Sequence, residues 1–230
     1  MSTHTQRSAP ATTGAPSAKR GFAPSRLLGV GFLILFGAGF TIMVLPPDIY
    51  SGTLEGYAAA FGDEGRLNLL MIASLFLFPL AGLLLAASVA RVRQALGAEP
   101  AVHAAGRVAA FGAAFTAIGT SVAAAAATAG AHVVWQAEGS GFPSSPETGY
   151  GLAMFSSQLF NPALVGLSIV VVALGYGLRR AGRLPGWLAW AGYVLAPLMP
   201  IAWVLGMMPL FLIVIWVAVV TTMVDTEPQR

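Results

Sequence analysis

The chain has 230 residues, 57% of them hydrophobic and 9% charged, and its mean hydropathy is +0.76. Twelve bases and nine acids cannot cover a soluble surface, which carries roughly a quarter charged residues, so a soluble domain and a disordered protein are both excluded and a polytopic helical membrane protein is indicated. The formal net charge of +3 comes mostly from the first 26 residues and leaves no basic surface broad enough for nucleic acid.

Residues 1–26 are rich in Ser, Thr, Ala and Pro. They hold Arg7, Lys19, Arg20 and Arg26 and no acid. They read as a disordered basic cytoplasmic tail, suited to an anionic inner leaflet. The first apolar run, 27–45, ends in Val44-Leu45-Pro46-Pro47 without a small-residue cleavage site, so it reads as a span rather than a signal peptide. The loop 46–66 carries four acids and is expected to be solvated, with a short surface helix around Leu54–Phe61. The second run is 67–90 and the third 108–134. The fourth is 149–178, the fifth 187–205 and the sixth 207–224, followed by a short tail at 225–230. A span needs about 20 apolar residues to cross ~30 Å of hydrocarbon. The stretch 187–224 is about twice that length and is expected to fold back at Gly206 and Pro209.

Loop charge sets the direction. The N-terminal tail, the loop with Arg91, Arg93 and Arg107, the loop with Arg179, Arg180 and Arg183, and the tail with Arg230 hold eleven of the twelve bases. The opposite loops hold Arg66 and six of the nine acids. Bases in short loops stay cytoplasmic, so the expected fold is an all-α bundle of six transmembrane helices with both termini cytoplasmic, in a bacterial cell membrane. Trp135, Trp187, Trp190 and Trp203 fall near run ends, where tryptophan favours the headgroup level. Trp216 falls mid-span and packs between helices or faces lipid.

None of the six runs contains Asp, Glu, Lys or Arg. Charges inside a span are kept where they move protons, ions or charged substrates, so their absence argues against a proton-coupled carrier, a redox pump, a voltage sensor and a retinal protein. The chain has no cysteine, which removes disulfides and thiolate chemistry. There is no phosphate-binding Gly-rich loop, no H-E-x-x-H and no G-x-S-x-G. No cofactor and no metal is expected.

Three polar groups remain. In the third run Gly112, Thr116, Thr120, Ala124, Thr128 and His132 recur at every fourth position. That step drifts about 40° per repeat around a straight helix. The series reads as a helix-packing seam (Gly112, Thr116, Thr120, Ala124, Thr128) or, alternatively, as the lining of a substrate path. His132 reads as an interfacial side chain satisfied by water or a carbonyl, or as a ligand. In the fourth run Ser157, Gln158 and Asn161 share one helical face. Pro162 frees the Gln158 carbonyl, and a kink there is expected to open a polar pocket. Pro79, Pro197 and Pro200 are placed to kink around the same cavity. The alternative is an amide cluster bonded to neighbouring helices. The candidate ligand-binding residues are therefore Gln158, Asn161, Ser157, Thr120 and His132.

The run Arg179-Arg180-Ala181-Gly182-Arg183-Leu184-Pro185-Gly186-Trp187-Leu188-Ala189-Trp190-Ala191-Gly192, a basic turn followed by Leu-Pro-x-Trp-Leu-x-Trp, resembles uncharacterised multipass membrane proteins of actinobacterial type. The resemblance implies a place and a shape and carries no activity or site residue. The expected function is non-enzymatic: an integral membrane protein holding a partner protein or a small neutral or lipidic ligand within the bundle. The first alternative is the membrane subunit of a transporter such as an ATP-driven exporter, with 91–107 as its coupling segment. The second is a membrane enzyme with His132, Glu138 and Glu147 at an outer-face site.

Overall fold

The computed structural model describes residues 24–44, 53–56, 64–96, 99–139, 145–201 and 208–224. Among them every regular element is helical. Helix α1 is Pro24–Val44, α2 covers 64–95, α3 is Pro100–Gly139, α4 is Pro146–Arg180, α5 covers 186–201 and α6 is Met208–Val224. Among the described residues three segments are long and apolar enough to cross a membrane: Glu64–Gln94 in α2, Pro100–Gln136 in α3 and Glu147–Arg180 in α4. Leu27–Met43, Gly186–Ile201 and Met208–Val224 are shorter apolar helices. The helices run beyond the apolar runs at several ends, because a helix continues into headgroup and water once its backbone bonds are made. Of the expected surface helix near Leu54–Phe61, residues 54–56 form a single helical turn and 57–61 lie outside the described residues. Gly206 lies outside them as well, and Pro209 sits buried in the first turn of α6.

Proline explains the irregular stretches. Pro79 lacks an N–H, and its ring crowds the carbonyl four residues back. The turn just before it, Ala73–Leu77, is π-helical, a widening that absorbs the crowding within α2. In α5 the α-helix Gly186–Leu195 tightens into a 3₁₀ segment at Ala196–Ile201 that contains Pro200. Pro200 leaves the Ala196 carbonyl without its usual donor. The Ser168 hydroxyl of α4 donates to that carbonyl at 2.8 Å. Helix α4, by contrast, runs unbroken through Pro162.

The helices close a ring in which α1 neighbours α2 and α6, α3 lies between α2 and α4, and α5 lies between α4 and α6. Buried phenylalanines fill its centre. Phe36 of α1 meets Phe78 of α2 edge-on at 5.8 Å between centroids and Phe78 meets Phe160 of α4 at 5.8 Å, while Phe40 meets the exposed Phe211 of α6 at 5.8 Å. Trp216 of α6 is buried and its indole N–H donates to the Leu188 carbonyl of α5 at 2.8 Å.

The α3–α4 contact is built from small residues. A Cβ on Gly112 would lie 2.8 Å from the Gly166 carbonyl oxygen, and one on Gly166 would lie 2.9 Å from the Thr116 amide nitrogen. The backbones therefore meet directly. The Thr116 hydroxyl reaches both its own-helix Gly112 carbonyl (2.9 Å) and the Ala163 carbonyl of α4 (3.2 Å). Farther along α3, Ala124 is buried and Thr128 turns toward α2, with its hydroxyl 3.2 Å from the Leu70 carbonyl. The four-residue series thus winds from one neighbour to the other.

The outside of the bundle is apolar. Ile34, Leu75, Leu83, Phe111, Ile118, Phe155 and Val194, drawn from five helices, are exposed. Such a continuous apolar face matches hydrocarbon as solvent and not water. The ends differ in charge. The close of α2 (Arg91, Arg93), the opening of α3 (Arg107) and the close of α4 (Arg179, Arg180) share one end, where Glu99 pairs with Arg180. At the other end Leu67, Leu70, Ala131, Val134, Trp135 and Tyr150 cluster near Glu64 and Glu147.

Candidate functional site

None of the five candidate ligand residues lines either of the two cavities described below. Thr120 is buried in α3 and donates within its own helix to the Thr116 carbonyl at 2.8 Å. Ser157 donates to the Met154 carbonyl at 2.7 Å. Gln158 is exposed on the outer face of α4, while Asn161 is half-buried. The side-chain Oδ1 of Asn161 is buried and has no hydrogen-bond partner among the described residues. His132 is exposed at the acidic end, stacked on Trp135 at 5.7 Å, and its Nε2 accepts from the Gln136 amide at 2.9 Å. Among the described residues no three His, Cys, Asp or Glu side chains come together around a point that would hold a metal.

A cavity does exist that begins about one helical turn along α4 from Asn161, at Val165. It has a volume of about 780 Å³ and opens between α3, α4 and α5. Its α4 wall carries Val165, Ile169 and Val172, α3 faces it with alanines such as Ala104, and Pro197 and Pro200 of α5 line it from the other side. The volume lies in the ~300–1,000 Å³ range of small-molecule pockets. The hydroxyl of Ser168 lines it too, but that proton is already committed to the Ala196 carbonyl. The lining therefore offers shape and dispersion contact, and little polar recognition.

Toward the arginine-rich end a second cavity, of about 550 Å³, adjoins the first and shares Val172 and Tyr176 with it. Arg179, Arg180, Trp190 and Tyr193 complete its wall. The turn that ends α4 fixes these bases. Gly182 has φ +68°, a left-handed conformation that favours glycine. The Arg183 amide bonds the Leu178 carbonyl at 2.9 Å and the Gly182 amide bonds that of Arg179 at 3.0 Å. This paired closure satisfies the last carbonyls of the helix, and Arg179 and Arg180 in the last turn suit the negative end of its dipole. The Arg179 guanidinium lies 5.8 Å over the Trp190 ring, while Arg180 pairs with Glu99. That pair is half exposed on both sides, so it contributes little to stability.

At the other end of α4, Ser145 caps the helix by accepting the Thr148 amide at 3.3 Å. Pro146 occupies the first turn, and Glu147 complements the positive dipole end. The sequence pattern puts Pro197 and Pro200 near a cavity but joins that cavity to the amide face of α4. The signal for its true wall lies in the spacing of Ala101, Ala104 and Ala105, small residues that leave room opposite a proline-bent helix.

No protein-family model matches the chain, and no curated protein and no solved structure matches it.

Proposed function

We propose that the chain is a six-span protein of a bacterial cell membrane, with both termini and its arginine-rich end in the cytoplasm. It acts without catalysis, by holding a small neutral or lipidic ligand in the groove between α3, α4 and α5. The observation that carries this reading is the apolar groove of about 780 Å³ in a bundle whose outer face is itself apolar. The short helices fit spans: at 1.5 Å per residue, the 17 residues of α6 measure roughly 25 Å, and modest bilayer thinning accommodates the difference from ~30 Å.

The two alternatives find less support. A coupling segment of a transporter subunit would fall in 91–107, yet 91–95 close α2 and 100–107 open α3. A central conduction path would have to displace the Phe36, Phe78 and Phe160 cluster. For an outer-face enzyme, His132 is engaged with Gln136 and Trp135.

The groove is tested by filling it. Ala104 is exposed and lines it, so Ala104→Trp places an indole in the space without touching the buried core. The full chain, purified in detergent and extracted into organic solvent, is expected to release an apolar compound at near one equivalent by mass spectrometry. The variant is expected to release under about a third of that, a loss on the scale of burying one ligand chain or not. Equal release from both proteins would refute the groove as the holding site.

A further inference from the structure

The two adjoining cavities differ in chemistry in a way that specifies an occupant. Along α4 from Val165 to Arg179 the wall changes from aliphatic to cationic. These fourteen steps of helix span about 21 Å at 1.5 Å per residue. A bilayer of ~40–45 Å including headgroups has leaflets about 20–22 Å deep. The composite groove therefore runs the depth of one leaflet, from midplane to headgroup. Its deep part is aliphatic and proline-lined, with its hydroxyl consumed internally. Its shallow part presents Arg179 and Arg180, with Trp190, Tyr176 and Tyr193 at the level where aromatic side chains meet headgroups.

Charge decides between lipid classes. Glu99 engages Arg180, and no acid among the described residues forms an ion pair with Arg179. A zwitterionic headgroup would bring its own cation to this arginine pair, whereas an anionic one brings only a phosphate that guanidinium donors match. We propose that the two cavities form one site for an anionic glycerophospholipid of the cytoplasmic leaflet, with its phosphate at Arg179 and Arg180 and one acyl chain lying along Val172, Ile169 and Val165 of α4. The proposal rests on the reading of the groove as a ligand site and adds the headgroup, its charge and its leaflet.

The test uses the full chain in mixed micelles, with a fluorescent-chain phosphatidylcholine as the reporter ligand. Unlabelled phosphatidylglycerol and phosphatidylcholine of identical chains compete for it. Phosphatidylglycerol is expected to displace the reporter at about ten-fold lower concentration, a preference on the scale of one to two arginines at a membrane surface. Arg179→Gln with Arg180→Gln should bring the two lipids within about two-fold, while Arg91→Gln with Arg93→Gln, at the same end of the bundle but off the groove, should keep the preference. Should the double variant fail to fold, Arg179→Gln alone leaves the Glu99–Arg180 pair intact and is expected to lose most of the preference. Equal displacement by both lipids in the unaltered chain would overturn the anionic assignment. So would an equal loss in the Arg91/Arg93 variant, which would mean diffuse attraction to the whole basic end. Either result leaves the Ala104→Trp outcome standing on its own, so a failed headgroup and a failed groove are told apart.

Discussion

Gly166→Ala is expected to destabilise the detergent-solubilised chain by about 1–3 kcal/mol, the range for overpacking a tight contact. The added Cβ would sit 2.7 Å from the Thr116 hydroxyl, 2.9 Å from the Thr116 amide nitrogen and 3.0 Å from the Gly112 carbonyl oxygen. Two of those three atoms are backbone, so no side-chain rotation relieves the clash and α3 must move off α4. Separation would also stretch the Thr116 contact to the Ala163 carbonyl, now 3.2 Å. Between membrane helices, where lipid is as apolar as the interface, this close approach is itself the main source of association. Gly151→Ala is the control in the same helix. Nothing lies within 4 Å of its added Cβ, and alanine is the better helix former by about 1 kcal/mol, so that variant should be neutral or slightly stabilised. Equilibrium unfolding of the two variants in mixed micelles measures the difference. Equal stability in both would mean that the α3–α4 seam is not a backbone-to-backbone contact.

Phe78→Ala is the second large effect. Phe78 is completely buried and touches Phe36 and Phe160 edge-on, so it ties α1, α2 and α4 at the bundle centre. In a soluble core such a truncation costs about 3–5 kcal/mol. Part of that is transfer from water, which falls away here because separated helices would leave the ring in lipid. The cavity remains. At ~24 cal/mol per Å³ over a void on the order of 100 Å³, it costs about 2 kcal/mol. Phe111→Ala makes the comparison sharp: Phe111 is 65% exposed and, among the described residues, stacks only on Phe115 of its own helix. Its loss should cost under about 0.5 kcal/mol, as for other side-chain pairs along one helix. A similar cost for both substitutions, read by unfolding in mixed micelles, would show that the aromatic cluster does not hold the ring of helices together.

Gly166 and Phe78 look alike on paper to many other glycines and phenylalanines in the chain, and that likeness marks where sequence stops being legible. The apolar runs and their alternating loop charges can be read directly, because hydrocarbon demands length and internally bonded backbone. Helix ends are not readable that way. Residues 100–107 are mixed in polarity yet belong to α3, since a helix already formed in the membrane propagates outward by one backbone bond per residue. Proline effects divide similarly. A π stretch precedes Pro79 and a 3₁₀ stretch contains Pro200, while α4 continues through Pro162, and sequence alone does not tell which neighbouring packing tolerates the missing bond. The polar residues are the least readable. Thr120, Ser157 and Ser168 have the same bonding options by residue type. Thr120 and Ser157 bond back within their helix, and only Ser168 reaches a freed carbonyl on another. Back-bonding to the preceding turn is always at hand for Ser and Thr in a helix, so a polar stripe does not by itself mark a pocket. The groove arises from three helices meeting at alanines and prolines, and the alanine spacing gains its meaning only once the proline-bent helix is known to lie opposite it.

The orientation of the bundle underlies the proposed function and the lipid site alike, and the absence of native cysteine allows one clean measurement of it. Single cysteines at Ser145, Gln94 and Thr226 are labelled with a membrane-impermeant maleimide in intact cells and again after permeabilisation. The expected result is labelling of Ser145→Cys in intact cells, with Gln94→Cys and Thr226→Cys labelled only once the membrane is opened. Labelling of Gln94→Cys or Thr226→Cys from outside, or recovery of the chain from washed membranes without detergent, would contradict six spans with the arginines facing the cytoplasm.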